Sequence, residues 1–173
     1  MTVARLLRVA ALVLVAGGCV GPRGPDPAEA TALHKYSAIL DEVRVLSWPE
    51  REPLRAELVA GGAEAVPALV AALESPDPAF VDLAAETLGE IGAPAGRAVP
   101  FLAEAALRMG SAAPLRAIER IGPREGGRTI PILIRLLGFE GLGGDAASCL
   151  ARYGREAAAA DRALIRCLEE KGC

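Results

Sequence analysis

The sequence predicts an all-α chain, an α-solenoid of about four antiparallel helix pairs behind one N-terminal capping helix. Two interleaved series carry that expectation. In the first, helical segments end on glycine: "DPAFVDLAAETLGEIG" at Gly92, "GSAAPLRAIERIG" at Gly122 and "GDAASCLARYG" at Gly154. In the second, segments open near proline and place a leucine at a matching position: "VPALVAAL" at Leu69, "VPFLAEAAL" at Leu102, "IPILIRLL" at Leu133, and "RALIRCL" at Leu164. Both series step by about 30 to 33 residues, the interval of a helical repeat unit. Composition agrees: aromatics make up 3% of the 173 residues, and the apolar set is dominated by small or aliphatic side chains that let helices approach closely.

The chain begins with a segment that is expected to be an address. Arg5 and Arg8 precede the uncharged run VAALVLVA, followed by Gly17, Gly18 and Cys19. A positive start, a short apolar run and small residues form the layout of a secretory signal peptide. The run is about half the 20 residues that a spanning helix needs. The four residues AGGC, 16–19, resemble a bacterial lipobox, although Ala16 stands where that motif usually has leucine. The resemblance implies a lipid on Cys19 and cleavage before it, with a plain cleaved signal as the alternative. It also implies three acyl chains, and two already make anchoring stable. Residues 1–18 are then the signal, and the Gly/Pro-rich residues 19–26 a tether. By resemblance to known sorting rules, the lack of an acidic residue at Val20 favours the outer over the inner membrane, facing the periplasm.

Residues 27–173 form the predicted helical domain, large enough for one core. Asp26 and Pro27 open a capping helix over 27–46, with Glu29 placed for a capping box and Leu33, Tyr36, Leu40 and Val43 as its apolar stripe. Four pairs follow: 48–60 with 64–74, 78–91 with 96–108, 112–121 with 129–138, and 145–153 with 158–170. Pro67, Pro100 and Pro131 are expected in first turns, where no intrahelical N–H is lost. Asp77 before Pro78 repeats the cap used at Asp26. The glycine pairs 126/127 and 143/144 read as turns, and Gly110, Gly143 and Gly144 stand where the third and fourth first helices should start, so those helices are expected to be short. One such pair cannot cover its own apolar stripe, but stacked pairs can.

The run from Asp77 to Gly92 followed by Val99-Pro-Phe-Leu resembles a short HEAT repeat, of the type also found in phycobilin lyases. The resemblance covers about residues 50–170 and departs from the consensus at Phe80 and Val81, where Val-Arg is usual. It implies that the second helix of each pair lines an inner curve. On that curve Arg135 and Arg166 fall two positions after Leu133 and Leu164, with Arg128 and Arg162 nearby. These four guanidiniums are a candidate site for an acidic partner, with an ordinary solvated face as the alternative.

Catalytic chemistry is thinly represented. His34 is the only histidine and falls on or near the solvent side of its helix. The carboxylate pairs Glu50/Glu52 and Asp41/Glu42 lie on charge-rich faces rather than in a pocket. No phosphate-binding loop or zinc-ligand spacing is present. Acidic residues outnumber basic ones, 22 to 19, so nucleic acid is not an expected partner. In an antiparallel pair turning near residue 157, Cys149 and Cys167 face each other and form a candidate disulfide. Two buried thiols, or a bond involving Cys173, are the alternatives. The expected function is a non-enzymatic, cofactor-free, lipid-anchored scaffold that holds a protein partner at the cell envelope. A lyase-related or chaperone-like protein acting on a tetrapyrrole or an enzyme subunit is the second reading, and a structural envelope component the third.

Overall fold

The computed structural model describes residues 26–47, 49–123, 126–160, 165 and 169. Among these the fold is all-helical, with eight α-helices and no strand. In chain order they are α1 (Pro27–Val45), α2 (Glu52–Ala60), α3 (Val66–Leu73), α4 (Pro78–Ile91), α5 (Val99–Met109), α6 (Ala113–Ile121), α7 (Gly126–Leu136) and α8 (Gly143–Tyr153). Short 3-10 segments occupy Gly62–Glu64, Ala93–Ala98 and Gly154–Ala160.

The local signals act as their chemistry requires. Asp26 and Asp77 cap α1 and α4, each carboxylate accepting the backbone N–H two residues on at 3.1 Å. Gly92, Gly122 and Gly154 end α4, α6 and α8 with φ of 71°, 90° and 52°, where a Cβ would be strained. Pro67 and Pro100 lie in first turns as expected. Leu69, Leu102 and Leu133 are fully buried, as are Tyr36, Leu40 and Val43 of the capping stripe, while Leu33 is partly buried.

Several expectations need correction. Gly126–Gly127 and Gly143–Gly144 are not turns, because they open α7 and α8. Glycine accepts helical φ and lacks only the preference, by about 1 kcal/mol against alanine. Burial of Ile130 in α7, and of Ala146 in α8, offsets that cost. Because α7 starts early, Pro131 sits inside the helix rather than in its first turn. Residues 96–98, expected to begin a helix, belong to the 3-10 segment that precedes α5, and Ala95 and Ala98 of that segment are wholly buried. Beyond α8 the chain continues as 3-10 helix to Ala160, so residues 158–160 do not open the α-helix expected over 158–170, whereas Ile165 and Glu169 within that range are α-helical.

The pairing of helices also differs from the expected hairpins. Backbones approach closely within α3–α4, α5–α6 and α7–α8, whereas α4 meets α5 only lightly, and α2/α3 and α6/α7 more lightly still. The connectors explain this. A tight turn at 74–77 or 110–112 folds the next helix back alongside, while 3-10 segments spread α2 from α3 and α4 from α5. Each helix also packs on its next-but-one neighbour: α2 on α4, α4 on α6, α6 on α8, and α3 on α5, α5 on α7. The α4–α6 contact is the most extensive, and Gly89 makes it possible. A Cβ built there would lie 3.1 Å from the Ala117 Cα.

Polar contacts about one repeat apart fix the register of these rows. The Ser111 hydroxyl donates to Asp82 at 2.7 Å. The Arg108 guanidinium donates to the Leu73 carbonyl, at the C-terminus of α3, where a cation is favourable. Arg55 on α2 pairs with Glu90 on α4. At the N-terminal end, α1 docks through Tyr36, whose ring lies over Gly61 so closely that a Cβ there would fall 2.5 Å from its hydroxyl. Lys35 bridges to Glu57 on α2 at 3.0 Å, and the Arg44 guanidinium lies 5.7 Å from the Phe80 ring on α4.

Two threonines are buried with different consequences. The Thr87 hydroxyl donates to the Leu83 carbonyl at 2.8 Å, whereas the Thr129 hydroxyl finds no partner among the described residues. A buried, unbonded hydroxyl costs about 1 to 3 kcal/mol. Thr129→Val, nearly the same shape, is therefore expected to raise the unfolding free energy by about 1 kcal/mol in urea titration; a decrease would mean that the hydroxyl is satisfied.

Candidate functional site

A concavity among the described residues runs across α2, α4 and α6, on the face made by the first helices of each pair. It encloses about 570 Å3. Its floor is low, formed by Ala79 and Leu83 of α4 and Ala113 and Ala117 of α6. Small side chains belong there because α4 and α6 cross closely at Gly89 and Ala117. The banks are charged. Arg51, Glu52 and Arg55 rise from α2, Asp82, Glu86 and Glu90 stand one turn apart along α4, and Arg116 and Arg120 stand one turn apart on α6.

One bank is internally neutralised. Arg55 reaches Glu52 through two nitrogens, with Nε 3.2 Å from Oε2, and reaches Glu90 through a third. Hydrogen bonds donated to Glu52 and then to Glu90 push the Arg55 pKa above the usual guanidinium range, so it stays charged. The bond from Arg55 holds the Glu52 carboxyl below its ordinary value. The Asp82 carboxylate accepts only from Ser111, and the side chains of Glu86, Arg116 and Arg120 enter none of the hydrogen bonds or ion pairs of the described residues. Carboxylates at the centre and guanidiniums on α6 therefore face solvent with unspent charge.

No family model, curated protein or solved structure matches this chain. The lining of the concavity brings charged side chains of α2, α4 and α6 together over small apolar residues.

The residues singled out from sequence fall elsewhere. Arg128 and Arg135 are exposed on α7, and Arg128 pairs with Glu104 of α5 at 3.1 Å. An exposed pair of this kind contributes about 0 to 1 kcal/mol and takes Arg128 out of a free guanidinium cluster. Arg162, Arg166, Cys167 and Cys19 lie outside the described residues. His34 is exposed, as expected. No group of three His, Cys, Asp or Glu residues that would hold a metal ion occurs among the described residues.

Cys149 is a free, buried thiol on α8 that donates to the Leu115 carbonyl of α6 at 3.4 Å. Counted back five from the exit glycines, it takes the same buried slot as Thr87 and Ala117 in the preceding first helices. Burial, reinforced by Glu119 and Asp145, pushes its pKa up to about 12. At neutral pH it is protonated and a poor nucleophile. Alkylation at pH 8 followed by peptide mapping is expected to leave Cys149 unmodified in the native chain and to modify it after denaturation. The raised pKa has a pH consequence. The unfolded thiol ionises near about 8.5, so its contribution is complete below that pH. From there up to about 12 it falls by about 1.4 kcal/mol per pH unit. Cys149→Ala is expected to remove that part of the alkaline slope in denaturant titrations; an unchanged slope would refute the assignment.

The groove was missed in the sequence because its residues are read along the first helices, not the second. A signal exists. Counting back six from Gly92 and Gly122 gives Glu86 and Arg116, and counting back two gives Glu90 and Arg120, a sign reversal between adjacent repeats.

Proposed function

We propose that this chain is a non-enzymatic, lipid-anchored protein-binding scaffold of the bacterial cell envelope, built as an α-solenoid of short HEAT-like repeats. The observation that carries this reading is the charged groove, whose banks come from α2, α4 and α6, about one repeat apart in sequence. A surface assembled from successive repeats suits a long partner better than a small substrate. The next-but-one packing of α2, α4, α6 and α8 supports the solenoid arrangement. The AGGC motif supports attachment to the membrane through lipid on Cys19, and no described helix is long and apolar enough to cross a membrane. The acidic balance disfavours nucleic acid as the partner.

Metabolic labelling with a fatty-acid analogue tests the anchor. The full chain is expected to carry label and sediment with membranes, and Cys19→Ser to do neither; an unlabelled wild-type chain would refute lipidation. In-cell cross-linking of the full chain tests the scaffold, with one reproducible protein partner expected and none counting against it.

A further inference from the structure

The groove holds both signs of charge in a fixed order, and that order narrows what it can hold. Glu52 and Glu90 occupy Arg55. This leaves the carboxylates of Asp82 and Glu86 on α4, between the guanidiniums of Arg116 and Arg120 on the α6 bank and that of Arg51 at the start of α2. A uniformly acidic ligand would bring like charge against α4, and a uniformly basic one would bring it against α6. Like-charge juxtaposition of this kind rejects wrong partners. The floor of Ala79, Ala113 and Ala117 offers little depth for a bulky aromatic group but lets a polypeptide backbone approach. Packed helix axes stand about 8 to 10 Å apart, and an extended chain advances about 3.3 to 3.6 Å per residue. A segment lying across the groove therefore passes from the α4 row to the α6 row in two or three residues.

We propose that this groove binds an extended segment of a partner protein in which a basic side chain stands two or three residues from an acidic one. The basic group faces Asp82 and Glu86, and the acidic group faces Arg116 and Arg120. The assignment rests on the scaffold reading and specifies the chemistry of its partner. The guanidiniums grip the partner carboxylate with paired N–H donors, and the central carboxylates accept from its ammonium or guanidinium. One end of the segment no longer fits if its charges are made alike.

Three fluorescein-labelled twelve-residue peptides test this by anisotropy with the full chain: Glu-Ser-Lys-Ser repeated three times, and the same peptide with every charge made Glu or every charge made Lys. The mixed peptide is expected to bind at least tenfold more tightly than either of the others, and to weaken as salt rises. Arg116→Glu with Arg120→Glu is expected to cost at least tenfold in its affinity. Glu86→Lys, a single change on the exposed face of α4, is expected to weaken it in the same direction. Equal binding of a single-sign peptide would overturn the proposal. So would undiminished binding by variants whose circular dichroism and melting match the wild type. If those variants still cross-link the wild-type partner in cells with full yield, the groove assignment falls and the scaffold reading stands. If the wild-type chain cross-links no partner, the scaffold reading falls.

Discussion

Gly89→Leu is expected to lower the unfolding free energy by about 3 kcal/mol, and the melting temperature by roughly 10 °C for a chain of this size. The reason lies in the crossing of α4 and α6, the most extensive helix contact in the fold. Even a Cβ at position 89 would lie 3.1 Å from the Ala117 Cα and 3.4 Å from the Arg120 Cδ. The Arg120 side chain can move, but the α6 backbone cannot move without disturbing Leu115 and Ile118, both buried behind it. Three further carbons must therefore push the helices apart and open the core beneath them. Gly89→Ala is the informative control. It gains about 1 kcal/mol of helix preference against a smaller clash, so its net effect is expected to be much weaker. Thermal unfolding followed by circular dichroism reads both, and a Gly89→Leu variant melting within about 2 °C of wild type would refute the close crossing.

Leu102→Ala is expected to cost about 3 kcal/mol, within the range of about 2 to 5 for a fully buried leucine. Leu102 is 0% exposed in α5, and α5 packs against α6, α7 and α3. Side chains from several segments surround it, and the cavity left by truncation cannot close through movement of one helix. Leu33, only partly buried on α1 and packed at the edge of the core, provides the comparison. Leu33→Ala is expected to cost clearly less, because neighbouring groups and solvent can fill its place. Urea titration of both variants gives the two free energies, and equal losses would contradict the central placement of Leu102.

Much of the helical pattern was legible because its causes are local. Asp26 and Asp77 cap the helices that they precede, the exit glycines adopt positive φ, and the three described leucines of the second series are fully buried. Each of these is decided within one turn of chain. The errors arose where a local preference was weak and tertiary burial overrode it. Gly126 and Gly143 open helices despite their low preference, because residues of α7 and α8, Ile130 and Ala146 among them, are needed in the core. The 3-10 segment at Ala93–Ala98 likewise serves packing, with Ala95 and Ala98 wholly buried.

The candidate site was far less legible. Arg135 belongs to a row on the second helices and Arg128 lies close by, yet Arg128 is met by Glu104. The groove lies on the other face, and its members come from positions about 30 residues apart. Charge identity at Glu86 and Arg116 was visible in the sequence, but which helix row borders a concavity depends on how the rows are spaced.

The sequence by itself determined that this chain forms short amphipathic helices at a repeating interval, where most of them begin, and which stripe each must bury. Those follow from backbone sterics, capping and hydrophobic periodicity, which act over a few residues. Only the tertiary structure decided that the tightest contacts between consecutive helices run from each second helix to the following first helix, and that α4 and α6 nearly touch at Gly89. It also brought Arg55, Glu90, Asp82 and Arg120 to one groove. Such arrangements depend on the lengths of connectors and on side-chain volumes at distant crossings, and no local preference encodes them.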